Sequence, residues 1–158
     1  MEMELDFEAI AERFRSVRRF TRDLAEPLSD EDCALQSMND VSPTKWHLAH
    51  TTWFFETFIL AEQPNYQVFD ETYAYLYNSY YNTVGKQFPR SQRGLLSRPG
   101  LAKVLAYRSY VDEQMEKLLT SKSKLNHPLA KIIEIGLHHE QQHQELILTD
   151  IKHVLSLN

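Results

Sequence analysis

Two histidines four residues apart, His139 and His143, sit in the run His138-His139-Glu140-Gln141-Gln142-His143. Four residues make about one helical turn, so on a helix both imidazoles project from one face and can reach a single metal ion. At about 100° per residue, Lys131, Glu134, His138, Gln141, Glu145 and Lys152 share one polar arc. His139 and His143 fall opposite it, among Ile132, Leu146 and Ile147. His138 belongs to the wet arc and His153 lies near its edge. Each inward imidazole needs partners for its nitrogens, since an unpaired buried polar group costs about 1–3 kcal/mol. A shared metal ion meets that need, as would ordinary hydrogen bonds.

A third nitrogen is available from Lys45-Trp46-His47-Leu48-Ala49-His50-Thr51. His50 falls between Trp46 and Phe54 on the core face. His47 sits further round, near Phe58, and is the competing third ligand. Three protein ligands leave positions open, which is the pattern of a catalytic site. Asp150, two turns beyond His143, either orients a ligand imidazole or faces solvent near the helix end. Gln142 either bonds a ligand at the metal or only flanks the site. Imidazole suits zinc, iron, copper and nickel alike, so the donor set does not name the ion.

The elements that must carry these rings are helices. The chain has 158 residues, with only four glycines and six prolines, a scarcity of breakers that favours long helices over many strands. Apolar spacing predicts a first helix over about Phe7–Ala25 through Phe7, Ile10, Phe14, Val17, Phe20 and Leu24. Pro27 ends it, and a short helix follows with Ser29 as cap. Ser42 as N-cap and Pro43 at the first helical position predict a second main helix through Trp46, Ala49, Trp53, Phe54, Phe58 and Leu60. It is apolar around most of its circumference and should be buried. A third helix is expected at about Leu101–Leu119 and a fourth at about Pro128–Leu155, joined by the polar link from Ser121 to Asn126. Between the second and third, the tyrosine-rich and then basic stretch from Glu62 to Pro99 is long enough to be functional. The expected fold class is all-α: one domain, a four-helix bundle with a long crossover between helices 2 and 3, which would then run in the same direction.

The composition excludes several classes. The net charge is −5, so no global basic field attracts nucleic acid. The early cluster of Arg13, Arg15, Arg18, Arg19 and Arg22 reads as a solvated helix face. Cys33 is the one cysteine, which rules out an intrachain disulfide and argues against a thiolate metal site. Apolar runs fall far short of the ~20 residues a membrane span needs. The start, with Glu2, Glu4 and Asp6, is unlike a signal peptide. A cytoplasmic protein is expected.

The stretches Ser42–Glu56 and His138–Leu146 carry a family resemblance, supported by Asn78–Tyr81, Arg93–Pro99 and Thr149–His153. From about Arg13 to its end, the chain resembles the N-terminal DinB-like domain of the ergothioneine-biosynthesis sulfoxide synthases. That resemblance implies a DinB-like metal-binding domain of a non-haem iron(II) enzyme. Such an enzyme uses O2 to join the sulfur of γ-glutamylcysteine or cysteine to the imidazole of hercynine. The family's metal ligands fall on His50, His139 and His143, with iron(II) as cofactor and zinc or nickel as substitutes. The glutamine that places hercynine matches Gln142. The arginines that bind the thiol's carboxylates match Arg90 and Arg93, with Arg98 a weaker match. Family members carry a further domain, related to the formylglycine-generating fold, that supplies the catalytic tyrosine. No catalytic residue is therefore assigned in this chain, which alone is expected to bind metal without efficient turnover. The expected partners are the small-molecule substrates, with a homodimer as candidate assembly. The competing reading is a stand-alone DinB-like, zinc-dependent thiol transferase.

Overall fold

Four helices of three turns or more, linked by shorter helical pieces, make up the computed structural model, which describes residues 6–121 and 123–158. Glu2 and Glu4, named above, and Lys122 of the link from Ser121 to Asn126 lie outside those residues. The first helix, α1 (Phe7–Ala25), starts where the Asp6 side chain accepts from the Ala9 N–H, filling one of the donors a helix start leaves unpaired. The short α2 (Asp30–Ala34) is closed by a reciprocal capping box between Ser29 and Asp32. The long helices α3 (Thr44–Phe58), α5 (Leu101–Leu119) and α6 (His127–Ser156) follow, with the one-turn α4 (Tyr73–Leu76) in the crossover. Asn126 caps α6 by accepting from the Leu129 N–H. The described residues contain no strand. No described helix is long and apolar enough to cross a membrane.

Contacts fix the directions. Arg13, Arg18 and Thr21 meet Glu134, Glu140 and Gln144 in ascending order, so α1 and α6 run the same way. Phe14 meets Phe55 and Arg18 meets Thr52, so α1 and α3 oppose each other. Lys45 reaches Pro99, just ahead of α5, and Thr51 meets Arg108, so α3 and α5 are parallel. Every residue of α3 from Thr44 to Glu56 is buried, which makes it the central rod.

Three sequence expectations are corrected by this packing. Arg18 is not on a solvated face: it is 3% exposed, because Phe14, Val17, Arg18 and Thr21 share the inward side of α1. Phe20 instead points out and is half exposed. Ser42 does not cap α3: its hydroxyl accepts from Arg93 Nη1 at 2.9 Å and Pro43 precedes the helix with no side-chain cap. On α6 the polar arc from Lys131 to Lys152 is exposed as expected, but Leu146 is also exposed, whereas Glu140 and Gln144 are buried.

Gly136 sets the spacing between α3 and α6. A Cβ built there would stand 2.7 Å from Phe55 Cε1 and 3.0 Å from Phe54 Cε1, closer than carbon atoms pack. Gly136→Ala would gain helix propensity of up to ~1 kcal/mol yet must displace the buried Phe54 and Phe55 rings. We expect a net loss of about 1–3 kcal/mol in urea unfolding. An increase in stability would show that the close approach is not limiting.

Candidate metal centre

The central rod brings its rings to the last helix one level above Gly136. Nε2 of His50 lies 3.1 Å from Nε2 of His139. One ligand nitrogen from each of His50, His139 and His143 falls within 4.8 Å of the others. Two nitrogens bound to one ion at about 2.0–2.1 Å each would stand roughly 3 Å apart, so the donor set and spacing fit a divalent metal. Aromatic walls hold the rings. His50 stacks between Trp46, at 4.5 Å and 10°, and Trp53, at 5.5 Å and 12°. Phe54 stacks on His139 at 4.9 Å.

Each ring is supported differently. His50 Nδ1 donates to the Tyr77 carbonyl at 2.6 Å, which leaves Nε2 as its lone pair. His143 Nδ1 lies 2.9 Å from Nδ1 of His47, and His47 Nε2 lies 2.7 Å from Asp150 Oδ2. His139 Nδ1 is buried without a partner among the described residues. His47 is therefore set behind His143 rather than among the converging donors, and Asp150 reaches inward to it.

Burial keeps these rings neutral, the state a ligand needs. It pushes His139 down to about 4, lowers His143, where His50 and His47 add to the effect, and lowers His50, with His139 contributing.

The rings line a cavity of about 280 Å³ that also receives Gln142, Tyr80, Arg90 and Arg93. Gln142 is on its exposed rim. Tyr80 adopts φ +66° there with its side chain largely exposed, a strained conformation of the kind that clusters at functional sites. Arg93 is 5% exposed and sits 3.5 Å over the Trp46 ring. Its Nη atoms donate to Ser42 and Ser79 hydroxyls, and its Nε is unpartnered. Burial, then the neighbouring Arg90, lowers its pKa to about 10. Arg90 donates to the Asp40 carbonyl at 2.8 Å. The turn bearing both arginines is clipped by Gln36, whose amide donates to Arg90 O and accepts from Gly94 N–H. Buried Lys45 pins the following loop by donating to Leu96 O and Pro99 O. Arg98 is not brought to the histidines: it lines a separate hollow with Asp70 and Lys103. His138 is exposed beside Glu134, and His153 pairs with Ser37 at 2.7 Å.

Sequence reasoning missed Gly136, Glu140, Arg108, the Tyr77 carbonyl and the serines around Arg93. Inward spacing could have flagged Glu140 and Arg108; nothing local flags a carbonyl in an irregular crossover.

An all-helical protein with three imidazoles converging beside an open cavity belongs to the class of helical proteins built around a potential metal site. More narrowly, the chain belongs to the DinB superfamily, whose family profile matches residues 13–147. A comparison with curated proteins finds no match.

Two outcomes are expected. Cobalt(II) or zinc(II) should raise the melting temperature by mass action, and His50→Ala should remove most of that rise, as read by thermal scanning with and without the ion. For the metal-free chain, His139 titrates at about 4 folded against an ordinary 6.5. The unfolded chain therefore binds more protons below pH 6.5, so stability is full above that value and falls as pH drops toward 4. Urea midpoints at pH 7.5, 6 and 5 that stayed level would contradict neutral buried rings.

Proposed function

We propose that this chain is the metal-holding DinB-like domain of an iron(II)- and O2-dependent sulfoxide synthase. In this reading His50, His139 and His143 hold the iron in a four-helix bundle, and the crossover between α3 and α5 forms the substrate side. The observation that carries it is the shared cavity: three neutral imidazoles on one wall, and on another the buried Arg93, which no carboxylate of the described residues pairs with. A buried cation without a counter-ion is costly and suits an anionic group brought by a ligand. The resemblance over Ser42–Glu56 and His138–Leu146 names the substrates: hercynine, and γ-glutamylcysteine or cysteine as thiol.

The residues divide the work. Arg93, held over the Trp46 ring with its Nη atoms on Ser42 and Ser79, would attract a carboxylate to its guanidinium charge, and Arg90 at the rim adds a second positive group. Gln142 can hydrogen-bond the imidazole acceptor. Trp46, Trp53 and Phe54 keep water from the backs of the ligand rings. Bound iron would supply O2 activation and hold the thiolate. The catalytic acid comes, in this proposal, from the further domain that the resemblance implies.

A pure imidazole donor set also suits zinc, which favours a zinc thiol transferase as the second reading. The test separates them. The full-length product of the reading frame, loaded with iron(II), should consume O2 only with hercynine and thiol together, and Arg93→Met should raise the thiol KM by about tenfold or more, as expected for a lost charge-assisted pair worth about 1.5–3 kcal/mol. Thiol transfer to an electrophile by the zinc form, with no O2 uptake by the iron form, would overturn the synthase reading.

A further inference from the structure

His47 and Asp150 are buried and belong to neither the converging donors nor the apolar core. Asp150 Oδ2 accepts the Ser42 backbone N–H at 3.0 Å, so this oxygen is an acceptor, and the proton in its 2.7 Å contact with His47 sits on Nε2 of that ring. Nδ1 of His47 is then free to accept. The two Nδ1 atoms of His47 and His143, 2.9 Å apart, share one proton. For His143 to offer a lone pair from Nε2, that proton must be its own, with His47 accepting it. The order Ser42 N–H, Asp150, His47, His143 satisfies every member with one arrangement of protons.

Resting on the reading of His50, His139 and His143 as metal ligands, we propose that His47 and Asp150 are positioning residues that lock His143 in the Nδ1–H tautomer with Nε2 presented to the metal. The three ligands are thereby made unequal. His143 is backed by a carboxylate through a second imidazole, and His50 by a neutral carbonyl. His139 has no backing at Nδ1. Backing by an anion raises the electron-donating power of an imidazole, so His143 is the strongest donor and His139 the ligand most easily rotated.

Cobalt(II) titration of the complete chain, followed by its visible ligand-field absorption, tests this. His47→Leu removes the acceptor for His143 and should weaken cobalt binding about 10–100-fold and shift the absorption bands. His47→Gln keeps an oxygen that accepts from His143 and an N–H that donates to Asp150, and should restore both affinity and bands to near the native values. Asp150→Asn keeps the shape without the charge, and should weaken binding several-fold even if His47→Leu fails to fold. A purely structural role would lower the melting temperature without moving the bands. Native-like affinity and absorption in Asp150→Asn, or in a folded His47→Leu, would overturn the proposal while leaving the metal site intact. A native chain that bound no cobalt would overturn the metal reading, and this inference with it.

Discussion

Glu140 is fully buried, and all four long helices are tied together at its level. Its Oε1 accepts from Arg18 of α1 at 3.0 Å and Arg108 of α5 at 3.1 Å. Those guanidiniums reach Thr52 and Leu48 O of α3, and Arg18 also pairs with Asp112 at 2.6 Å. Burial alone would raise the Glu140 carboxyl, yet the two arginines hold it below its ordinary value. Two cations against Glu140 and Asp112 leave the cluster balanced. Removing charges like these from water costs several kcal/mol each, and only near-ideal geometry returns it. The helices are therefore held to one register: a slip of α6 by a single residue would leave Arg108 facing no carboxylate and Arg18 with Asp112 alone.

That register sets the metal centre, because Glu140 is the neighbour of His139. When Glu140 points between α1 and α5, the helical step of about 100° turns His139 toward α3, and His143 follows one turn on. Gly136, one turn before, leaves room for the Phe54 and Phe55 rings of α3 against the α6 backbone, below the level at which ring nitrogens from both helices meet. Gln144 fixes the far side by donating to Val17 O and Thr21 Oγ1 of α1. The polar interior thus aims the histidines, and the apolar groups around it keep them neutral.

The helices and the convergent trio were legible because they rest on periodicity, which survives without knowledge of partners. The spacing that gave α1 from Phe7 to Ala25 also placed Arg18 inward with Phe14, Val17 and Thr21; residue type, not spacing, made it read as solvated. Glu140 was obscured in the same way by its flanking histidine and glutamines. Ser42 looks like a cap in sequence because Ser is favoured at the N-cap and Pro just inside the helix, but its hydroxyl accepts from the buried Arg93 of the crossover instead. His47 could be placed near the site but not ordered within it, since Asp150 is 103 residues away. Arg98 was indistinguishable from Arg93 until the crossover's path was known. Such residues depend on contacts between distant segments, and a single sequence does not encode these by position.

The cavity wall holds two acidic and two basic side chains, Asp40 and Asp150 against Arg90 and Arg93. Asp150 is already engaged by His47 and the Ser42 N–H, and the three converging imidazoles bring no charge. A divalent ion would therefore add positive charge to a pocket whose two acidic and two basic side chains already balance, beside an arginine that no carboxylate of the described residues pairs with. In a partly desolvated site that excess is felt over several ångströms, and a ligand supplying anionic groups would relieve it at both the metal and Arg93. In the reading proposed above, a zwitterionic or acidic thiol would do so with its sulfur at one end and a carboxylate at the other. A neutral electrophile alone could not. In the reading proposed above, the ligand would span the distance between the histidines and Arg93, beside the turn that Gln36 ties down at Arg90 and Gly94.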